Sequence, residues 1–401
     1  MARRKGRGGE DPVKRGRRLV DPTPRPVYRA TPVSTHFNRR RRRGAGRCAA
    51  TGEGRKVMKL SQLIAKVASG DHLSVEEAED AFHQIMEGEA SQVQMAALLT
   101  GLRARGHVAS EVAGGVRALR RAMVPVASAD PSRLVDTCGT GGGSVTTFNI
   151  STAAALVAAA AGARVAKHGN RSFTSRSGSA DVLESLGVSI QLSPDAMARV
   201  LDQVGIVFMF APLLHPAMRH VGPVRRELGI PTIMNILGPL TNPAGVRRQV
   251  VGVADPELLP LVAEALRQLQ HERALVVHGL PGMDELSPLG DTRIVELREG
   301  EIRSYRITPE SLGLTRSTEE EIAGGEPHEN ARLIRSVLVG DEKGGARTVT
   351  LLNAAAALYV AGVADGLRDG VERAEEAVDS GAAVRTLELL VEVSGREARR
   401  D

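Results

Sequence analysis

Four glycines at positions 139, 141, 142 and 143 stand between Asp136 and a run of small polar residues: Thr146, Thr147, Asn149, Ser151 and Thr152. Such residues bind rather than react. Glycine lets the backbone turn its N–H groups inward and approach a ligand closely. The stretch Ser151–Ala161, rich in small apolar residues and stopped by Gly162, predicts a helix directly after the loop. A helix start offers unpaired N–H groups and the positive end of its dipole. The hydroxyl and amide side chains add donors without adding negative charge, so the segment suits a phosphate or pyrophosphate. Two rival loops fit poorly. A dinucleotide fingerprint needs glycine or alanine where Ser144 stands, and a nucleotide-triphosphate loop needs Gly-Lys, a pair that occurs nowhere in the chain.

A second polar segment follows. Lys167, His168, Gly169, Asn170 and Arg171 precede the run Ser172–Ser179, which includes Ser175, and Asp181 opens a further helix. Lys167 is a compact positive charge at the carboxyl end of a predicted strand, where open α/β sheets bind ligands. Taken with its neighbours, the segment reads as a second wall of the same pocket. Cys138 has no activating base implied nearby and reads as a small filler.

The elements that must hold these residues alternate. Arg133–Asp136, Ala163–Ala166, Val188–Leu192 and the apolar run Ile206–Phe210 read as strands. Helices are expected from Ser151, Ser179 and Pro194, the last with proline at its first position. Gln249–Ala254 and Arg273–Val277 continue the style, Thr292–Ile307 suggests an antiparallel hairpin, and the chain from Glu329 onward is mostly helical. The alternation indicates an α/β fold with a mainly parallel sheet. Ahead of it, residues 58–126 read as a small all-helical domain, with Ser74 and Glu77 at capping-box spacing.

Charge is segregated along the 401 residues. Residues 1–57 hold 18 basic and 4 acidic residues, leaving 35 basic and 43 acidic in 58–401. The arm, with Arg39–Arg43 and almost no apolar periodicity, is expected to be disordered. It could serve as a nucleic-acid-binding tail, a transit segment or simply an upstream extension, with the working protein starting at Met58. Two cysteines, Cys48 and Cys138, cannot build a disulfide framework. No secretory signal and no membrane-length apolar run is present, which points to the cytoplasm.

The two polar segments closely resemble those of the anthranilate phosphoribosyltransferases. The shared motifs are Gly139-Thr-Gly-Gly142, Asn149-Ile150-Ser151-Thr152, Lys167–Arg171, Ser177-Gly-Ser-Ala-Asp181, His215–Leu228, Asn235–Pro243 and Gly282–Leu286. They occur in order, and the resemblance covers Met58 to about Glu392. The resemblance implies a helical domain at 58–126 beside a larger α/β domain at 127–401 of the nucleoside phosphorylase/phosphoribosyltransferase type, usually as a homodimer. It also implies the reaction: anthranilate and phosphoribosyl pyrophosphate, with magnesium, give N-(5-phosphoribosyl)anthranilate and pyrophosphate.

By motif, Gly139, Gly142, Thr147, Asn149, Ile150, Ser151, Thr152, Lys167 and Ser179 would hold the donor, with Gly143, His168, Gly169, Arg171, Ser172 and Ser175 completing the walls. Asn170 and Arg225 would contact anthranilate, and His215 would line its channel. A guanidinium such as Arg225 can grip a carboxylate in a fork, although paired arginines on a helix are more often solvated surface. Asp284 and Glu285 would hold magnesium, with the Ser151 hydroxyl as a further ligand. No single catalytic residue is implied, since the aniline nitrogen is already nucleophilic. One departure stands out: many members carry aspartate where this chain has Gly143. Two other functions share the general pattern. A pyrimidine nucleoside phosphorylase is opposed by the Asn235–Pro243 and Arg225 motifs, and a nucleic-acid-binding relative by the acidic body.

Overall fold

The computed structural model describes residues 57–172 and 176–401; the expectations placed on the arm through Lys56 and on Ser175 lie outside the described residues. Four helices come first: α1 (Leu60–Ala68), α2 (Val75–Met86), α3 (Gln92–Arg105) and α4 (Ala109–Ala122). Ser74 caps α2 as its spacing predicts. Its hydroxyl accepts from the Glu77 amide at 3.2 Å, and Glu77 returns to the Ser74 amide at 2.8 Å. Such a cap contributes about 1 kcal/mol.

The sheet follows, with β1 (Leu134–Gly139), β2 (Arg164–Gly169), β3 (Ile206–Phe210), β4 (Arg248–Gly252), β5 (Arg273–Gly279), β6 (Thr292–Arg298) and β7 (Glu301–Ile307). Their spatial order is β3-β2-β1-β4-β5-β6-β7. The first five in that order are parallel, and β6 and β7 add the antiparallel hairpin expected from Thr292–Ile307. Strand order reverses between β1 and β4, the crevice where open α/β sheets take their ligands. Four of the five parallel strands end on glycine, at 139, 169, 252 and 279, so this edge of the sheet carries almost no side chains.

Between strands run α5 (Ile150–Ala160), α6 (Ser179–Ser185), α7 (Pro194–Val204), α8 (Ala211–Leu214), α9 (Met218–Leu228), α10 (Met234–Leu237) and α11 (Leu258–Gln268). The chain closes with α12 (Pro327–Val339), α13 (Gly345–Ala361), α14 (Leu367–Asp379) and α15 (Ala382–Ala398). Period-two alternation divides each strand between two cores. Leu275, Val277 and Ile294 face the core that holds α5, α7 and α12–α15, while Ala274, Val276 and Val295 face the bundle and α11.

One expected strand is absent. Val188–Leu192 alternates buried and exposed as a strand would, yet it forms no ladder. Its Ser189 amide donates to the Ser394 hydroxyl of α15 at 3.1 Å instead. The segment is an extended strap that buries Val188, Ile190 and Leu192 without a strand beside it, so periodicity alone misread it.

Candidate active site

The glycine loop leans on the loop after β5. Gly141 and Gly142 adopt φ of 70° and 83°, the left-handed region that favours glycine. The Gly141 amide donates to Asp284 Oδ2 at 2.8 Å, and the Ser144 amide to the Gly282 carbonyl at 2.8 Å. Asp284 can descend this far because Gly139 and Gly252 are bare; a Cβ at 252 would overlap the Asp284 carbonyl. At Gly143 there is more room, with Gly282 O 3.0 Å and Asp284 Oδ1 3.4 Å from where a Cβ would lie. Thr147 is pinned by a backbone bridge to Ala323.

The helix α5 starts at Ile150 beneath this loop, one residue before the start the sequence predicts. Its alanines pack against those of α13, and small residues let the two helices come close. Thr152 is buried, and its hydroxyl oxygen has no partner among the described residues. Lys167 lies under the loop rather than at its mouth. It is 3 % exposed, and its Nζ donates to Thr137 O at 2.8 Å and to Ser151 Oγ at 3.2 Å. Burial lowers its proton affinity, and the charges of Asp136 and Glu285 pull it back up.

The second wall is braced onto α6. Asp181 accepts from the Gly178 amide at 2.9 Å and from Ser172 at 3.4 Å. Ser179 Oγ donates to Asn170 O at 3.2 Å, fitting into the space left by Gly169. Asn170 is exposed and holds the Arg171 amide at 2.7 Å. Arg171 turns away from the cradle: its guanidinium pairs with Asp181 and Glu184, each at 2.6 Å. It is placed to brace α6, not to receive a phosphate in this arrangement.

Asn149 is likewise engaged by protein. Its Oδ1 accepts from Ser177 Oγ and from Asn330 Nδ2, both at 3.0 Å, and its Nδ2 donates to Ser177 O at 3.0 Å. The residue bolts together the glycine loop, the second wall and α12. Asn330 was not singled out from the sequence, where nothing marks it: its partner is 181 positions away.

His168 and His215 meet with their Nε2 atoms 3.1 Å apart. Burial drives both toward the neutral form, His168 down to about 3 and His215 to about 4. Arg225 sits in the last turn of α9, half-buried, and burial lowers its proton affinity. Its guanidinium takes no hydrogen bond or ion pair among the described residues. A half-buried cation without a counter-charge is disposed to accept an anion.

Asp284 and Glu285 adjoin a narrow cavity whose lining also includes Thr137, Gly139, Ser151 and Asn353. Burial raises the proton affinity of both carboxyls, and Asp284 raises that of Glu285 further. The two adjacent carboxyls share one cavity lining with the Ser151 hydroxyl, a hard-oxygen set of the kind that suits a magnesium ion keeping several waters. Cys138 keeps its thiol: burial, then the Asp136 charge, pushes it well above the ordinary range, and Gln249 Nε2 lies 3.2 Å from its sulfur. The reading as filler agrees with that.

Comparison with known proteins adds a lineage to this geometry. Residues 131–384 match the family description "Glycosyl transferase family, a/b domain", and residues 61–123 match "Glycosyl transferase family, helical bundle domain". The chain is 52% identical over 341 residues to the anthranilate phosphoribosyltransferase of Rubrobacter xylanophilus, covering 85% of this chain and 99% of that one. It is 51% identical to the enzyme of Moorella thermoacetica, over 83% of this chain and 97% of the relative. Among solved structures, the anthranilate phosphoribosyltransferase of Thermus thermophilus superposes with a TM-score of 0.79 at 46% identity, covering 83% and 99% of the two chains. The enzyme of Saccharomyces cerevisiae in complex with PRPP and Mg gives 0.77 at 29% identity, covering 84% and 98%. These matches favour phosphoribosyl transfer over the phosphorylase and nucleic-acid readings. By overall identity and by fold, this chain belongs to the anthranilate phosphoribosyltransferase family.

Proposed function

We propose that this chain transfers the phosphoribosyl group of phosphoribosyl pyrophosphate to the amine of anthranilate, releasing pyrophosphate. The observation that carries this reading beyond family membership is the pairing of two complementary surfaces. A glycine loop, a helix start and Lys167 make an anion cradle, and Arg225 supplies an uncommitted guanidinium for a carboxylate.

At C1 of the ribose, the bond to the pyrophosphate oxygen breaks and a bond to the aniline nitrogen forms. Positive charge grows on the sugar and negative charge on the leaving group, so positioning and charge stabilisation are the main needs. The Gly141–Gly143 backbone and the first turn of α5 would hold the phosphates, with Lys167 adding charge from below through Ser151. Thr147, Thr152 and Ser179 would supply hydroxyls, Asn149 would shape the cradle, and Asn170 and His215 would border the acceptor. The substituted anilinium is acidic and gives its proton to water. Asp284 and Glu285 would hold magnesium, with Ser151 beside them; when bound, the metal neutralises charge on the departing pyrophosphate. The resemblance supports a homodimer. No helix among the described residues is long and apolar enough to cross a membrane.

The experiment follows the fluorescence of anthranilate in the presence of phosphoribosyl pyrophosphate and magnesium. Emission should fall as product forms. Constant emission, with thymidine or uridine cleaved by phosphate instead, would sink the reading. A protein beginning at Met58 should keep the same turnover, which would confine the basic arm to an accessory part.

A further inference from the structure

A ring of contacts closes beneath the histidine pair. Asp136, fully buried in β1, accepts the His168 amide on Oδ1 at 3.2 Å. His168 faces His215 at 3.1 Å, and the backbone of Thr241 faces the His215 imidazole. Next in the chain is Asn242, whose Nδ2 donates to Asp136 Oδ2 at 2.8 Å and so completes the ring.

Asp136 and the loop members of the ring are held from outside as well. Asn242 Nδ2 also donates to Ala166 O at 2.8 Å, and Gln249 Nε2 approaches Asp136 Oδ2 at 3.4 Å. Thr241 Oγ1 donates to Leu237 O at 2.9 Å. From the bundle, Arg120 of α4 donates to Leu240 O at 2.9 Å. Thus the loop that carries Thr241 and Asn242 is fixed by the bundle on one side and by a buried carboxylate on the other.

A carboxylate with no exposed surface is costly to keep unless its lone pairs are filled. Asp136 fills them with donors from β2, from the Asn242 loop and from β4, and it has no route to a ligand. What it can do is aim other groups. We propose that Asp136 is the positioning residue of the acceptor side: one oxygen fixes the backbone of His168, the other fixes the loop against which His215 rests, and together they set the histidine pair. This inference rests on the transferase reading above.

Asp136→Asn tests it, because asparagine keeps the shape but turns one accepting oxygen into an NH2 that meets other N–H donors. Asn242→Asp, made alone and together with Asp136→Asn, offers that NH2 an acceptor. Steady-state kinetics are read for both substrates, beside the unaltered protein. Each single substitution should lower kcat/KM for anthranilate about tenfold or more and raise KM for phosphoribosyl pyrophosphate by clearly less, since Asp136 reaches the donor side only through its charge on Lys167. The exchanged pair should recover at least about threefold over the poorer single. Unchanged kinetics, equal rises in both KM values, or a double variant no better than the product of its parts would overturn the proposal. If Asp136→Asn does not fold, Asn242→Ala carries the same test, with selective loss on anthranilate expected and equal loss on both substrates overturning it. An unaltered protein without turnover would instead count against the transferase reading.

Discussion

The Gly141 amide donates to Asp284 Oδ2 at 2.8 Å, so the glycine loop is tied to a carboxylate of the proposed magnesium site. A phosphate drawn to that amide and a metal drawn to that oxygen would compete with the same bond. Loop and carboxylate should therefore respond to substrate and metal together.

Replacing Asp284 with Asn and Glu285 with Gln keeps their volumes and removes both charges. Turnover should fall by about 10–100-fold at a magnesium concentration that saturates the unaltered protein, as for lost metal-site groups. A magnesium titration of initial rate checks this, and an unchanged half-saturation point would remove the two residues from the site.

Arg225→Ala should raise KM for anthranilate by about tenfold or more while leaving KM for phosphoribosyl pyrophosphate near its original value. Stability should hardly change, because the guanidinium has no partner to lose among the described residues. Equal effects on both substrates would place Arg225 outside the acceptor site.

Gly143→Asp would bring a third carboxylate near Asp284 Oδ1, in a space that accepts the Cβ with a shift of a few tenths of an ångström. Without metal the added repulsion should lower Tm, and magnesium should restore it by binding the folded state. Thermal melts in EDTA and in magnesium decide the matter; a Tm indifferent to magnesium would count against the metal assignment.

His271 makes stability depend on pH. It is 4 % exposed, and neither ring nitrogen has a partner among the described residues. Burial, then the Arg120 charge, lowers it from 6.5 to about 3. The unfolded chain therefore binds this proton before the folded one does. Its contribution is complete above about pH 6.5 and declines as pH falls toward 3, by ~1.4 kcal/mol per pH unit. His107, His168 and His215 act in the same direction, whereas Asp136, raised by burial to about 6, opposes them between 3.8 and 6, and the raised Asp284 and Glu285 carboxyls oppose them too. Denaturant unfolding at pH 7, 5 and 4 should show the midpoint falling, and His271→Asn should flatten the slope.

Sequence alone identified the strands that carry the cradle and the hairpin at the sheet edge, because their apolar runs end at glycines and turns that only local chemistry dictates. The glycine loop and the start of α5 were legible for the same reason. What escaped was long-range pairing. Asn330 reaches Asn149 across 181 positions and Asn242 reaches Asp136 across 106, and neither asparagine advertises a partner. Arg171 stood in a binding motif, but its side chain went to Asp181 and Glu184, both on the helix that follows in the same wall. Val188–Leu192 had the right alternation and no neighbour to pair with.

The bare glycine ends of β1, β2, β4 and β5 act as sockets into which neighbouring loops are seated. The socket at 139 and 252 seats Asp284, that at 169 seats Ser179, and that at 279 seats the backbone of Glu285. A methyl group added in any of them would lift a functional loop sooner than it would part the strands, whose ladders lie in the plane of the sheet while the methyl stands out of it. Damage there would register as an enzyme that melts almost normally and no longer works, so these four positions tolerate change less than their distance from the substrate would suggest.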